Sequence, residues 1–244
     1  LFAAANIANG ILVYKITNKP KAFYWYAFNP FILWEFSING HNDALMITPL
    51  LLAIFFFLRQ KENDSYKSVF YLSLSVLMKF MTAILLPPIL ISLIKEGRGQ
   101  LAKIKKITAF AVILLTVAVI CYLPFFSGWK TIAGPIIQQG TSSGSDSLLI
   151  LFAKKIAALL GAESASKIGV AVGRGAFLVF YLIIMARVVL AKTIDRKKII
   201  IYSAWILAAF YACFFTWLMP WYFISLVALA IIIFGLTADR KYLV

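Results

Sequence analysis

Apolar and polar stretches alternate along the whole chain. Several of the apolar runs have roughly 15 residues or fewer, whereas a helix perpendicular to a bilayer needs about 20 to cross the hydrocarbon core. Short apolar helices usually end at a polar cavity or re-enter, where protein covers the backbone. The pattern therefore predicts an all-α, polytopic transmembrane helix bundle with short hairpin helices, in one transmembrane domain spanning residues 1–244. The runs are residues 1–14, 22–36, 44–58, 68–78, 80–94, 107–126, 175–191, 199–218 and 221–237.

Composition excludes a soluble α-helical domain. Of the 244 residues, 63% are hydrophobic and 14% are charged. A soluble domain carries about 25% charged residues and interrupts its apolar stretches with polar faces. The chain is therefore expected to reside among membrane lipids.

The excess of basic residues predicts topology rather than a nucleic-acid partner. Lys and Arg number 24 against 9 Asp and Glu, but they lie in short connections between apolar runs and form no single patch. Basic connections usually remain cytoplasmic, so the segments between them should lie outside. The basic connections are residues 15–21, 59–67, 95–106, 192–198 and 239–241, and the expected outer segments are 37–43, 79–82, 127–173 and 217–221.

This alternation requires residues 65–95 to form two short helices that turn near Lys79. The Pro87-Pro88 pair favours the turn because proline disrupts a continuous helix. The alternative, one long span, would place residues 37–43 inside.

The long outer loop, residues 127–173, is predicted to have two parts. Residues 127–147 are rich in Gly, Ser and Gln and predict a mobile loop. Residues 148–162 carry Lys154 and Lys155 among apolar residues, which favours a helix lying in the membrane interface. The segment could close over a substrate or could be an ordinary connector. The sequence GVAVG that follows has small-residue spacing suited to tight helix packing.

A polar group interrupts the apolar sequence at NPFILWEFSINGHNDALMITPLL. Carboxylates at a membrane boundary are functional candidates because they are costly unless paired or facing water, so Asp43 and Glu35 are candidate catalytic residues. His41 and Asn42 are candidate substrate-binding residues beside them. The alternative is that this stretch caps the following helix, with Asn or Asp accepting from free backbone amides.

Other candidate binding residues occur elsewhere on the predicted outer side. Lys79 has no acidic neighbour in sequence, so it needs an anion in space or in a ligand. A lipid phosphate would serve, with Arg174 as a further candidate; a lysine that extends to the headgroups is the alternative. Trp221 and Tyr222 could line a sugar pocket or belong to an aromatic belt.

A metal site built from several histidines is excluded because the chain has one histidine. One or two carboxylates could still hold a divalent cation through oxygen ligands. The sequence leaves that question open.

Four segments in order resemble the polytopic glycosyltransferases of the C superfamily, particularly the mannosyltransferase-like branch that uses polyprenyl-phosphate sugars. They are NPFILWEFSINGHNDALMITPLLLA, LSVLMKFMTAILLPPILISLIK, CYLPFF and PWYFISLVALA. The resemblance implies a membrane glycosyltransferase that moves a mannose-like hexose with inversion from a polyprenyl-phosphate donor to a glycan or lipid-linked acceptor. Lys79 would meet the phosphate, His41, Asn42 and Asp43 would orient sugar or acceptor, and Trp221 and Tyr222 would line the pocket.

The family's usual base is an acidic residue in the first outer loop, which would precede Leu1. The chain also begins without Met and with what looks like the second part of a helix. We therefore expect a fragment whose upstream spans are missing, and residues 1–244 alone could be inactive.

The resemblance and the basic, Ile- and Lys-rich composition indicate a multi-pass protein of a prokaryotic plasma membrane with an outward-facing site, and an endoplasmic reticulum origin is the alternative. Two other classes remain open. A lipid-linked sugar flippase or other transporter would also hold charges in a cavity, although such proteins often show paired halves and no repeat is evident. A non-catalytic membrane scaffold would leave the polar group as a helix cap.

Overall fold

The structure is a computed structural model that describes residues 1–61, 63–131, 133–134, 137, 146–193 and 195–237. Regular structure within these ranges is entirely helical, which confirms the predicted all-α class. The α-helices are α1 (Phe2–Thr17), α2 (Pro20–Ala27), α3 (Pro30–Leu33), α4 (Asp43–Arg59), α5 (Asp64–Met78), α6 (Leu86–Lys95), α7 (Gln100–Tyr122), α8 (Leu148–Leu159), α9 (Ala165–Leu190), α10 (Arg196–Cys213) and α11 (Phe223–Thr237). A π-helix spans Trp34–Ile38, and 3-10 turns span Phe80–Leu85, Leu123–Phe125 and Pro220–Tyr222. The predicted basic connection at 239–241 and most of the predicted mobile loop at 127–147 lie outside the described residues.

Among the residues that the structure describes, three helices are long and apolar enough to cross a membrane: Gln100–Phe125, Ala165–Leu190 and Pro220–Thr237. The first joins α7 to the 3-10 turn that follows it, and the third joins a 3-10 turn to α11. The fold is therefore a membrane helix bundle, as predicted. The sidedness inferred from the basic connections stays a prediction.

The chain breaks at Lys79, as the hairpin interpretation requires. Lys79 has an extended backbone (φ −151°, ψ 118°), so α5 ends at Met78 and the chain continues as a 3-10 helix. The two prolines occupy the first turn of α6, where proline's missing amide costs nothing. The single long span over residues 65–95 is thereby excluded.

Helix α4 connects the two ends of the bundle. Its first residue is Asp43 and its last is Arg59. We use "site end" for the end that contains Asp43 and Lys79, and "basic end" for the end that contains Arg59 and Arg196. The α5–α6 hairpin starts at the basic end, turns at Lys79 and returns, because Asp64 pairs with Arg59 and Glu96 pairs with Arg196.

Buried charges at the basic end are paired. The Arg196 guanidinium donates to both oxygens of Glu96 and to the backbone oxygen of Phe57, joining α10 to α6 and α4. Lys95 Nζ donates to three backbone oxygens at the end of α9, at distances of 2.8, 2.5 and 2.6 Å. These contacts satisfy carbonyl groups that a helix C-terminus leaves unpaired, and they fix the relative heights of α6, α9 and α10.

Helices α8 and α9 pack antiparallel through small residues. A Cβ at Gly169 would lie 2.9 Å from the Ile150 backbone oxygen, and one at Gly173 would collide with Ile150 and the Cys213 backbone oxygen. The predicted close packing at GVAVG is therefore confirmed. The predicted helix after residue 148 is present as α8, while its position in a membrane interface stays a prediction.

The Asp64 carboxylate accepts three hydrogen bonds at the basic end. Its oxygens accept from Arg59 Nη2 and Nε at 2.7 and 2.8 Å and from the Lys61 amide at 2.9 Å. The hydrogen bonds from Arg59 are the largest cause that lowers the pKa of Asp64, to about 2. The ionised form therefore stabilises the turn between α4 and α5.

We predict that Asp64→Asn lowers the Tm by several degrees at pH 7. The pKa of Asp in an unfolded chain is about 3.9. A folded pKa of about 2 therefore gives stability that is complete above the unfolded value and is lost as pH falls towards the folded one. The Tm difference between wild type and variant should stay constant from neutral pH to about pH 4 and shrink below it. Thermal unfolding in detergent measures this, with Asp195→Asn as a control that keeps an N-cap. A difference that persists unchanged in strong acid would contradict the prediction.

Candidate active site

A buried ion pair lies at the site end. Lys79 Nζ is 2.5 Å from Asp43 Oδ1, and the pair links the α5–α6 break to the first residue of α4. Asp43 is 1% exposed, and its other oxygen, Oδ2, is buried without a hydrogen-bond partner among the described residues. The Lys79 ammonium also lies 4.9 Å from the centre of the Tyr222 ring. The pair is thus compensated in charge but has one unused acceptor.

A second polar pair lies nearby on the other side of the turn before α4. His41 Nε2 is 3.3 Å from Glu35 Oε2, and the same oxygen accepts from Asn39 Nδ2 at 3.2 Å. The His41 ring stacks on Trp221 with ring centres 3.9 Å apart and planes inclined by 27°. Glu35 is 5% exposed, so its carboxyl group interacts with these partners rather than with water.

The backbone places Glu35 and His41 together through a π-helix. This helix starts at Trp34, and the Asn39 amide donates back to the Trp34 carbonyl. The His41 amide donates to the Glu35 carbonyl at 3.0 Å, after Gly40 has turned the chain with φ +67°. Single π-turns are rare and occur frequently at functional sites.

Asn29 fixes the entry to this segment. Its side-chain oxygen accepts from the amides of Phe31 and Ile32 at 3.0 and 3.3 Å, and Pro30 occupies the first helical position. The NP pair therefore caps α3 and sets where the π-helix starts.

The prediction that an Asn or Asp side chain caps the start of α4 is wrong. Asn42 precedes α4 but makes no side-chain cap hydrogen bond, and it is exposed. The Asp43 carboxylate is bonded to Lys79 instead of to a backbone amide. Asn42 therefore lies beside the buried pairs without joining them.

Aromatic residues close this end of the bundle. Trp221 and Tyr222 lie on the 3-10 turn before α11, and Tyr222 contacts Phe215 with ring centres 5.3 Å apart. Ser147 exchanges two hydrogen bonds of 2.8 Å with the Phe215 backbone, which brings the start of α8 to the same place. Binding of a sugar by these rings stays a prediction.

The structure places Arg174 on the far side of these rings. The residue is on α9, and its guanidinium carbon lies 5.1 Å from the centre of the Phe214 ring. Phe214 neighbours Phe215, with ring centres 6.4 Å apart. Arg174 is thus at the site end, separated from Lys79 by aromatic side chains.

Sequence reasoning missed a hydroxyl pair beside Asp43. The Tyr211 hydroxyl lies 2.6 Å from Ser225 Oγ, and both residues are buried. Asp43 is within electrostatic range of the Tyr211 and Tyr222 hydroxyls. The sequence did contain a signal, because Ser225 is a polar residue near the start of a mostly apolar helix and follows closely after Tyr222.

Two further features bear on what could bind here. Within the described ranges, no group of three or more His, Cys, Asp or Glu side chains is arranged to hold a metal ion. An open groove of about 650 Å³ lies beside the aromatic turn, lined in part by Asn29, Phe31, Met219, Pro220 and Phe223. A substrate could therefore approach the turn from the side of α3.

The fold and the site together define a membrane helix bundle in which two buried carboxyl groups, those of Asp43 and Glu35, are paired with Lys79 and His41 at one end. Residues 3–95 match the family model described as alpha-(1->6)-mannopyranosyltransferase, N-terminal domain. The matched part contains Glu35, His41, Asn42, Asp43 and Lys79, and the later aromatic turn and Arg174 lie beyond it. Comparisons with curated proteins and with solved structures found no match. The family match supports a membrane glycosyltransferase that uses mannose.

We predict that Gly40→Ala destabilises the protein by about 1 kcal/mol, because its positive φ disfavours any residue with a Cβ. A Cβ at this position would make only an ordinary contact, with the Phe2 ring at 3.8 Å. Thermal unfolding in detergent would measure the change. Gly175→Ala is the matched control, since that glycine is helical with nothing within 4 Å, and alanine there should be neutral or stabilising. Equal effects at both positions would contradict the prediction.

We predict that Lys79→Met lowers the stability by about 3–5 kcal/mol, because it leaves a buried carboxylate without its counter-charge. The double variant Asp43→Asn/Lys79→Met should regain most of that loss, since no charge then remains unpaired. Lys155→Met, at an exposed lysine, is the control and should have little effect. Midpoints of thermal or denaturant unfolding for these variants complete the double-mutant cycle. A double variant as unstable as Lys79→Met would show that loss of the ion pair does not cause the destabilisation.

Proposed function

We propose that the protein is an inverting mannosyltransferase that moves mannose from a polyprenyl-phosphate donor to a mannose-containing glycan or lipid-linked acceptor. The observation that carries the proposal is the buried Asp43–Lys79 pair with its unpartnered carboxylate oxygen. It lies inside the part of the chain that matches the mannosyltransferase family model. A non-catalytic scaffold would not require such an acceptor.

The family description implies the identity of the acceptor group. Transfer that creates an α-(1→6) linkage uses a primary hydroxyl on C6 of the accepting sugar. A single displacement inverts the anomeric centre, so an α product requires a β-linked donor. The acceptor oxygen attacks C1, the bond from C1 to the phosphate oxygen breaks, and its electron pair leaves with the lipid phosphate.

Asp43 is suited to receive the acceptor's hydroxyl hydrogen. Its Oδ2 is unused, whereas Oε2 of Glu35 already interacts with His41 and Asn39. General base catalysis needs a carboxylate within hydrogen-bond reach of the proton it removes. We therefore assign proton acceptance or hydroxyl binding to Asp43 and positioning of His41 to Glu35.

The cation and the rings have complementary tasks in this proposal. Lys79 is 21% exposed along its side chain, so part of this residue remains accessible while its ammonium is bonded to Asp43. A positive group there stabilises charge that develops on a departing phosphate. His41 stacked on Trp221 presents a flat apolar face with a polar edge, a surface suited to a sugar ring, and exposed Asn42 offers an amide beside it.

The protein would act in a prokaryotic plasma membrane with this site facing outward. The supporting feature is the separation of charge between the two ends of α4. Lysines and arginines concentrate at the basic end, which the positive-inside rule assigns to the cytoplasm. The candidate site lies at the other end of the helix, which starts at Asp43 and finishes at Arg59.

The test is transfer of radiolabelled mannose from polyprenyl-phosphate mannose to an α-mannoside acceptor by the full-length protein in membranes. Asp43→Asn keeps an oxygen for Lys79 but cannot accept a proton, so kcat should fall by about 10²–10⁴-fold. Asp195→Asn is the control, because that residue is exposed at the basic end, and it should retain wild-type transfer at matched expression.

Undiminished transfer by Asp43→Asn would remove this residue from the chemistry. Absence of any mannose transfer by the wild-type protein, with the donor intact, would refute the proposed function itself. Substitution of glucose for mannose in the donor tests the sugar, and equal use of both would refute mannose specificity.

A further inference from the structure

The Tyr211 hydroxyl lies between two segments that carry site residues. It is 2.6 Å from Ser225 Oγ in α11 and 3.5 Å from the sulfur of Met81. Met81 belongs to the 3-10 helix that starts directly after Lys79. Tyr211 and Ser225 are both buried. One hydroxyl group therefore contacts the Lys79 side of the site and the helix that follows the aromatic residues.

The hydrogen bonds run from Tyr211 to the aromatic turn, Pro220–Tyr222. Ser225 Oγ donates to the backbone oxygen of Tyr222 at 3.0 Å. A hydroxyl group has one hydrogen, so Ser225 then accepts from the Tyr211 hydroxyl. The competing acceptor for the Tyr211 hydrogen is the Met81 sulfur, and a thioether is a weak acceptor. Tyr211 is therefore connected through Ser225 to the last carbonyl of the turn.

The aromatic turn holds two rings against ionisable side chains of the candidate site. The Trp221 ring stacks on His41 with ring centres 3.9 Å apart. The centre of the Tyr222 ring lies 4.9 Å from the Lys79 ammonium. A displacement of the turn would therefore alter both contacts at the same time.

The backbone that leads into the turn is irregular. Helix α10 ends at Cys213 and the 3-10 turn starts at Pro220, after an extended Met219 (φ −111°, ψ 147°). Ser147 anchors this stretch at Phe215, before the turn is reached. A 3-10 turn is short and has poorer hydrogen-bond geometry than an α-helix. The side-chain bond to its last carbonyl therefore supplies an attachment that its own backbone does not.

We propose that Tyr211 is a positioning residue whose hydroxyl, acting through Ser225, keeps the aromatic turn aligned with His41 and Lys79. Its contribution to mannose transfer rests on the proposed function. Catalysis depends steeply on geometry, and a misplacement of about 1 Å can lower a rate by about 10²-fold. A residue that holds the turn can therefore affect the reaction without touching the substrate.

The ring of Tyr211 makes a contribution that is separate from that of its hydroxyl. It packs against Phe215 and Phe223, on either side of the aromatic turn, with ring centres 5.9 and 5.4 Å apart. Phenylalanine at position 211 keeps these ring contacts and removes only the oxygen. The variant Tyr211→Phe therefore isolates the hydrogen bond.

The first test is fluorine NMR of the full-length protein in detergent, with fluorotryptophan in place of tryptophan. The signal of Trp221 is assigned by its loss in Trp221→Phe. Tyr211→Phe should shift or broaden that signal, because the stacking of the ring on His41 changes when the turn is released. An unchanged Trp221 signal would overturn the proposal.

The second test compares the kinetics of mannose transfer by Tyr211→Phe and by wild type. The kcat should fall by about 10–100-fold, whereas the KM for the donor should stay close to that of wild type because the buried hydroxyl does not touch the donor. The Tm should fall by no more than about 4 °C, as expected for one hydrogen bond in a chain of this size. A loss of transfer that only follows a loss of folded protein would assign a structural role and overturn the proposal.

Tyr181→Phe is the matched control. The Tyr181 hydroxyl donates to the Ile84 backbone oxygen at 3.1 Å, in the same 3-10 helix that contains Met81. The substitution removes one hydrogen bond from that helix and keeps the Ser225 bond to the aromatic turn. It should retain wild-type kcat and the wild-type Trp221 signal. Equal losses in Tyr181→Phe and Tyr211→Phe would contradict a role that acts through the turn.

A double-mutant cycle tests the connection through Ser225. Ser225→Ala breaks the same series of hydrogen bonds at its middle. Because residues in one hydrogen-bond network are not additive, Tyr211→Phe/Ser225→Ala should lose no more kcat than the worse single variant. Losses that multiply in the double variant would show that the two residues act independently and would overturn the proposal.

The outcome is separable from that of the proposed function. Fluorine NMR reports on the aromatic turn without any turnover of substrate. Wild-type protein that transfers no mannose would refute the function, and the Trp221 signal of Tyr211→Phe would still test the alignment of the turn. Wild-type protein that transfers mannose, together with an unchanged Trp221 signal in Tyr211→Phe, would refute this inference alone.

Discussion

A buried carboxylate in an apolar bundle needs a counter-charge, and Lys79 supplies it for Asp43. The contact joins a break in one helical segment to the start of another, 36 residues apart in sequence. Because α4 starts at that carboxylate and ends in the paired charges of the basic end, the ion pair sets the height of α4 within the bundle. The aromatic turn before α11 then packs on the ammonium through Tyr222. Without this contact, the break at Lys79 would place a lone cation among apolar helices.

Sequence reasoning predicted which residues belong to the site better than it predicted which residues they contact. The helical class and the break at Lys79 follow from local rules: apolar runs too short for simple spans, and prolines that start a new helix. The assignment of residues 37–43, 79–82 and 217–221 to one side agrees with their proximity in the structure. The pairing of Lys79 with Asp43 was not predictable, since an ion pair between distant residues depends on how helices are rotated about their axes, and periodicity does not determine that rotation.

Other features escaped because their causes are tertiary. Asn9 donates to the Ala44 carbonyl and Asn6 to the Ala27 carbonyl, so two buried asparagines hold α1 against the segment that carries the site. In the sequence they are only polar interruptions of an apolar run. The π-helix likewise leaves no clear sequence mark, because its extra residue is accommodated by the packing of buried side chains such as Phe36. Capping propensity suggested a cap before α4, but a cation in space competed successfully for the Asp43 carboxylate.

The three carbonyl contacts of Lys95 fix the C-terminal end of α9 in the bundle. One end of the helix is anchored in the basic end, and the other carries Gly173 and Arg174 into contact with α8 and α10. The number of residues between the two ends determines the orientation of Arg174. Inserting or deleting one residue between Gly175 and Arg187 would turn everything above it by about 100° and shift it by about 1.5 Å. Substitutions along the exposed face of α9 should therefore be tolerated far better than any change in its length.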